Sequence, residues 1–263
     1  MILYSPINPT AFSILNLEVR WYGIIMAFAI FIGFALSSFL CLRKYSTRDC
    51  DIFLDMAPYT VIFAIIGARI FYVVGDWQFY SNNLSEIFML NHGGISIYGA
   101  LIFGVITLFL YCRVKKLKMY KFSDIIAISM PLCQSIGRWG NFINQEAYGV
   151  PYNGLLKLYI DDAHRYPQFI NIEYYHPAFL YESLLDLLLF FILLFAYFKY
   201  KNLKYGTLTF IYLILYATVR LIVEHIRIDS ILNISGIHIA SIISVLIITT
   251  SIVFLFIINK RTN

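Results

Sequence analysis

The chain has 263 residues, of which 60% are apolar when tyrosine is counted and only 13% are charged, with a net charge of +5. Soluble domains carry about 45–50% apolar and about 25% charged residues, and a water-soluble core has no use for such a surplus. A disordered chain, a nucleic-acid binder of the basic-patch kind and an ordinary cytosolic enzyme are thereby excluded, which leaves an all-α, polytopic helical membrane protein.

A bilayer core about 30 Å thick needs about 20 mostly apolar helical residues. In chain order, seven stretches meet that need: 21–42, 56–75, 94–112, 125–144, 177–198, 206–224 and 237–259. They predict seven transmembrane helices in a single integral membrane domain, 1–263. The second is interrupted by Arg69, the fourth by Arg138, and the fifth contains Glu182 and Asp186. The residues before Glu18 carry no charged side chain, so the basic start of a cleavable signal peptide is missing and the first stretch is expected to stay as a span. Segment 145–175 holds Gly, Pro and charged residues and is expected to form a small external cap.

Orientation follows from lysine and arginine, which cytoplasmic loops retain. Arg43, Lys44 and Arg48 follow the first span. Arg113, Lys115, Lys116, Lys118 and Lys121 follow the third, Lys199, Lys201 and Lys204 the fifth, and Lys260 and Arg261 close the chain. The alternate loops hold Lys157, Arg165 and Arg227. This asymmetry predicts an N-terminus outside and a cytoplasmic C-terminus. Cys41, Cys50, Cys112 and Cys133 show no C-x-x-C spacing; they read as packing residues or free thiols, and no metal site is expected.

Four arginines are left over: Arg20, Arg69, Arg138 and Arg220. An arginine at membrane depth costs about 2.5–3.5 kcal/mol on insertion scales and normally faces a partner or a polar cavity. Arg69 lies 14 residues beyond Asp55 and Arg138 lies 14 beyond Asp124, about 21 Å from the inner end at the helical rise. Arg220, 16 beyond Lys204, reaches about 24 Å. Glu182 and Tyr98 come to the same level. Tyr216, Arg220 and Glu224 share one helical face, with i, i+4, i+8 spacing, and Arg227 continues it. A lone outer arginine commonly snorkels to the interface, which suits Arg20, and Arg69 is open to a role in tying helices together. Glu182 and Asp186 read as pairing partners. Three arginines at matched depth instead suit an anion, and the anion abundant there is a lipid phosphate. The residues alone thus point to a site for a phosphate-bearing lipid on the outer side. A transporter or flippase for an anionic lipid could use the same arginines; a structural scaffold would explain the hydropathy but not the polar run after Gly137.

That run, Gly137-Arg138-Trp139-Gly140-Asn141-Phe142-Ile143-Asn144-Gln145-Glu146-Ala147-Tyr148-Gly149, resembles the signature of the bacterial prolipoprotein diacylglyceryl transferases. Matches in the same order are Arg20-Trp21-Tyr22-Gly23, Gly67-Ala68-Arg69-Ile70, Gly93 to Gly99, His176-Pro177 with Leu180-Tyr181-Glu182, and Arg220-Leu221-Ile222-Val223-Glu224. The resemblance implies an enzyme of the bacterial cytoplasmic (inner) membrane, working toward the outer face. Its reaction would move the sn-1,2-diacylglyceryl group of phosphatidylglycerol onto the lipobox cysteine of a preprolipoprotein signal peptide. A thioether forms, glycerol 1-phosphate leaves, and neither cofactor nor nucleic acid takes part.

By that resemblance Arg138 is the main phosphatidylglycerol-binding residue and Arg220 a second essential arginine. Tyr22, Asn141, Glu146, Gly149, Tyr216 and Glu224 match positions of importance. Asn144 joins Asn141 as a head-group hydrogen-bonding residue, Arg69 is a further binding candidate, and Glu224 is expected to orient Arg220. One departure stands out: some members carry a histidine, proposed as the base for the thiol, where this chain has Tyr98. A tyrosine, with a reference pKa near 10, serves poorly as a neutral-pH base, so Tyr98 is expected to act by hydrogen bonding. His92, six residues earlier, does not replace the histidine.

Overall fold

In a computed structural model the chain is described for residues 1–260, apart from 6, 15–16, 90–92, 229–232 and 235–236. His92 and Arg261 lie outside the described residues. The chain is mostly helical: α1 Trp21–Lys44, α2 Thr47–Gly75, α3 Trp77–Tyr80, α4 Ile97–Val114, α5 Met119–Ile143, α6 Ala178–Lys199, α7 Thr207–Glu224 and α8 Ile239–Lys260. Six of these, α1, α2, α4, α6, α7 and α8, are long and apolar enough to cross a membrane. Among the described residues, hydropathy thus supports six of the seven expected spans. The predicted fourth span is present as the 25-residue α5, but Lys121, Asp124, Gln134, Arg138 and Asn141 along it dilute its apolar character.

Helix bounds differ from the expected spans where local chemistry decides. α2 begins nine residues before the predicted 56 because Ser46 caps it, its Oγ accepting from the Asp49 amide at 3.3 Å. α4 starts at Ile97 rather than 94 because Gly93 and Gly94 have φ of +85° and +77°, a turn conformation that glycine adopts without strain. Short strands, which a helical reading does not include, also form. β1 (Ile2–Leu3), β4 (Lys157–Tyr159) and β5 (Tyr174–Tyr175) make a three-stranded sheet in the order β1-β4-β5. β2 (Thr10–Ile14) pairs with β3 (Leu17–Arg20), and β6 (Asn233–Ile234) with β7 (Ile237–His238).

The chain divides into two compact units, Met1–Ser37 with Ser123–Asn263, and Ser38–Phe122. In the smaller unit, α2 and α4 meet at two glycines. A Cβ on Gly99 would run into the Gly67 carbonyl and Phe71, and one on Gly67 into the Phe103 ring. Without a hydrophobic drive between helices in lipid, close backbone approach at small residues holds such a pair. Gly99→Leu is therefore expected to destabilise this unit by about 1–3 kcal/mol, seen as a lower midpoint for thermal unfolding in detergent. Thiols Cys41 and Cys50 are buried side by side here, both free.

In the larger unit, segment 145–175 has a core of Tyr148, Leu158, Ile160 and Tyr175 shared with Phe179 of α6 and joined by Phe142 from α5. This ties the C-terminal end of α5 and the N-terminal end of α6 to the small sheet. At the other end of α5, buried Asp124 caps α7. Its carboxylate accepts from the Gly206 and Thr209 amides, each at 2.8 Å, and from the Thr209 hydroxyl at 2.7 Å, satisfying donors that a helix start leaves open. The start of α7 therefore sits beside Asp124, five residues into α5.

Candidate active site

The last turns of α5 and α7, the first turns of α6 and Arg227 just beyond α7 bring six charged side chains together. Glu182, on α6, is the hub. Arg138 from α5 pairs with it, Arg227 Nη1 donates to its Oε1 at 2.8 Å, and Arg220 Nη1 lies 4.0 Å from the same oxygen. Arg220 Nη2 also pairs with Glu224 at 2.6 Å, one helical turn on. Asp186, one turn below Glu182, has an oxygen 4.0 Å from Arg138 Nε. The three carboxylates are almost wholly buried, with Glu182 3%, Asp186 1% and Glu224 2% exposed.

Three guanidinium groups facing three carboxylates balance the formal charge of the cluster, which eases burial: a desolvated charge is costly unless a counter-charge lies close by. Arg138, Glu182, Asp186, Tyr216, Val219 and Arg220 line a cleft too narrow to hold a water molecule. Ser135 and Ser183 lock α5 to α6 beside it, their hydroxyls 3.0 Å apart. The Tyr212 hydroxyl donates to Gln134 Oε1 at 3.2 Å, holding α7 to α5.

The polar run that leaves α5 forms a second group. Asn141 Nδ2 donates to Glu146 Oε1 at 2.9 Å, and Asn144 Nδ2 approaches the same oxygen at 3.4 Å. The chain between them bends sharply, with Gln145 and Ala147 at φ of +51° and +54°, a conformation that costs a non-glycine residue about 1–3 kcal/mol and gathers at functional sites. Gln145 helps hold the bend, its Oε1 accepting from the Asp161 amide at 2.7 Å. Tyr22, on α1, lies flat on α5 where Gly140 leaves room; a Cβ there would sit 2.7 Å from its ring. Gly149 has a backbone role: its amide donates to the His176 carbonyl at 2.9 Å, it bridges to Arg227, and a Cβ would press on His176 and Ile226. It thereby fixes the backbone that carries Arg227 to Glu182.

Of the residues expected from sequence, then, Arg138, Arg220, Tyr216 and Glu224 meet in one cluster. Asn141, Asn144 and Glu146 meet in the adjoining one, with Tyr22 and Gly149 packed on the elements that bear them. Arg69 and Tyr98 belong to the other unit. Arg69 is buried, and its guanidinium donates to the carbonyls of Glu86, Ile87, Met89, Gly93 and Gly94. An arginine has five N–H donors, and here five carbonyls take them. In this arrangement Arg69, expected from sequence as a head-group ligand, pins the segment after α3 in place. Tyr98 is in the first turn of α4 and half exposed. From sequence, Glu182 and Asp186 have only a pairing role, and Arg227 is both a loop cation and a continuation of the Arg220 face. Their i, i+4 spacing on α6, level with the arginines, was the signal for both carboxylates.

The sequence profile of the prolipoprotein diacylglyceryl transferases matches residues 9–257. The chain belongs to this family. Phosphatidylglycerol–prolipoprotein diacylglyceryl transferases of Staphylococcus aureus strains MSSA476, MW2 and JH9 are each 40% identical over 253 residues, which is 95% of this chain and 89% of theirs. The matched region takes in every residue of both clusters.

His176, beside the site, adds a pH dependence. Its ring stacks on Tyr152 with centroids 3.7 Å apart, and burial pushes its pKa below the usual 6.5. The folded cap thus holds fewer protons than the unfolded chain between the two values. Stability is complete above about pH 6.5 and falls as the pH drops through it toward the folded value. Amide exchange across 148–176, corrected for its intrinsic pH dependence, is expected to accelerate below pH 6.5, and His176→Phe to flatten that response.

Proposed function

We propose that this chain transfers the sn-1,2-diacylglyceryl group of phosphatidylglycerol to the lipobox cysteine of a preprolipoprotein, the first step of lipoprotein maturation. The observation that carries the reading is the convergence of Arg138, Arg220 and Arg227 on one buried carboxylate, Glu182, in a chain of this family. Guanidinium forks aimed at a carboxylate oxygen are equally suited to a phosphate oxygen. An incoming phosphodiester competes with Glu182 for them.

The reaction is a displacement at a saturated carbon. The cysteine sulfur attacks the glycerol CH₂ bearing the phosphate, the S–C bond forms, the C–O bond breaks, and its electron pair leaves with glycerol 1-phosphate. Charge grows on the departing oxygen, so cations fixed there favour the transition state over the ground state. Arg138 and Arg220 supply them, Glu224 holds Arg220 in place, and Tyr216 closes one wall. Asn141 and Asn144, gathered on Glu146, hydrogen-bond the glycerol head group, and Tyr22 flanks it. Tyr98 assists by hydrogen bonding.

In the membrane arrangement we infer, α5 crosses as well, giving seven spans. The cationic loops lie in the cytoplasm, with the N-terminus outside and the C-terminus inside. Arg138 and Arg220 lie within five residues of the last residues of α5 and α7, and Glu182 four residues into α6, so all three sit toward the outer face of the bacterial inner membrane, where lipobox cysteines emerge.

The test is to incubate the purified protein with phosphatidylglycerol and a lipobox peptide, following peptide mass and glycerol 1-phosphate release. A diacylglyceryl-sized mass gain with matching glycerol 1-phosphate is expected. Lipid binding without either product, by folded protein, would overturn the transferase and favour transport of an anionic lipid.

A further inference from the structure

The reaction requires a thiolate, so a proton must leave the cysteine before or as sulfur attacks, and none of the residues lining the cleft is a histidine. Of its two lining carboxylates, Glu182 is engaged by arginines from two elements. Asp186 differs. It is 1% exposed, it lines the cleft, and neither of its oxygens has a hydrogen-bond partner among the described residues. A buried carboxylate normally has its acceptor sites filled, and one left open inside a reaction cleft is an acceptor waiting for a donor that arrives with the substrate.

Resting on the transferase reading, we propose that Asp186 is the general base that takes the proton from the lipobox cysteine thiol. The groups facing it are Arg138 from α5, Glu182 one turn away on α6, and Tyr212, Tyr216 and Arg220 from α7. Arg138 does not oppose the transfer. The S–H bond breaks, the proton passes to an Asp186 oxygen, and the negative charge moves from carboxylate to sulfur while staying beside the same guanidinium. The thiolate then displaces the phosphate, and the Asp186 proton is given up to the released phosphate monoester or to water. Net charge in the cleft is unchanged during the proton step, which suits a site where separated charge is costly. Glu182 keeps its own task of spacing the arginines, so the two carboxylates, one turn apart on α6, divide anion-site upkeep from proton transfer.

The experiment compares two lipobox peptides, one with cysteine and one with selenocysteine at the acceptor position, on wild type, Asp186→Asn and Asp186→Glu. A selenol is ionised at neutral pH and needs no base. Asp186→Asn is expected to slow the cysteine peptide by about 10²-fold or more, the scale of general-base catalysis, while its rate with the selenocysteine peptide stays near that of wild type. Asp186→Glu, which restores a carboxylate, should recover part of the cysteine rate. An equal loss with both nucleophiles would overturn the proposal and make Asp186 a residue that positions Arg138, as would an unchanged cysteine rate in Asp186→Asn by showing that the carboxylate is not used. Failure of wild type with both peptides would instead strike the transferase reading itself, so the two failures are told apart.

Discussion

Arg138→Ala is expected to lower diacylglyceryl transfer by about 10²–10³-fold or more, the loss seen when one preorganised charge stabiliser is removed from a transition state. Arg138 pairs with Glu182 and has its Nε 4.0 Å from an Asp186 oxygen, so it serves both the phosphate position and the proposed base. Arg138→Lys should not restore the rate, because an ammonium cannot present two parallel donors to one phosphate. The peptide-mass assay measures this, with circular dichroism in detergent confirming that the helices persist. Turnover near the wild-type rate in a folded Arg138→Ala protein would remove Arg138 from the chemistry.

Glu182→Ala should have the largest effect on stability. It removes the counter-charge shared by Arg138, Arg220 and Arg227, and breaking a buried pair by deleting one partner costs about 3–5 kcal/mol. The expected reading is a clearly lower unfolding temperature in detergent, with Glu182→Gln intermediate because its carbonyl oxygen still accepts. A second effect separates this from ordinary core damage. An anion that binds only the folded state stabilises it, so phosphatidylglycerol should raise the unfolding temperature of Glu182→Gln more than that of wild type, where it must displace Glu182. Equal shifts in the two proteins would mean that the lipid phosphate does not occupy the arginine site.

Much of this was readable from the chain, for definite reasons. Apolar length identifies α1, α2, α4, α6, α7 and α8, since lipid leaves a helix no other way to satisfy its backbone. Residue rise along a helix puts Arg138 and Arg220 at one depth, and the structure brings them to a single carboxylate. What stayed hidden has physical causes too. α5 buries its polar face in the protein, so hydropathy undercounts it. The two-residue strands β1 and β5 are set by pairing across more than 150 residues and within the cap, beyond any local pattern. Arg69 is matched to backbone carbonyls, and carbonyls are present at every position, so no residue type betrays the partner. Asp186 reads from sequence as one more pairing group, because no local pattern tells that both its oxygens lack a hydrogen-bond partner among the described residues.

The Asp124 cap has a consequence for how length is specified in this protein. From Asp124 to Arg138 along α5, and from Gly206 to Arg220 along α7, the count is the same 14 residues. The cap is thus a common zero for two rulers of equal length, and the arginines are the marks read off at about 21 Å. A single residue inserted into either ruler would turn its arginine by about 100° around the helix and lift it by about 1.5 Å, away from Glu182. Substitutions along these stretches can be absorbed one at a time, whereas a change of one in their length cannot, and an aspartate near one end of the helices thereby sets the spacing of charges near the other.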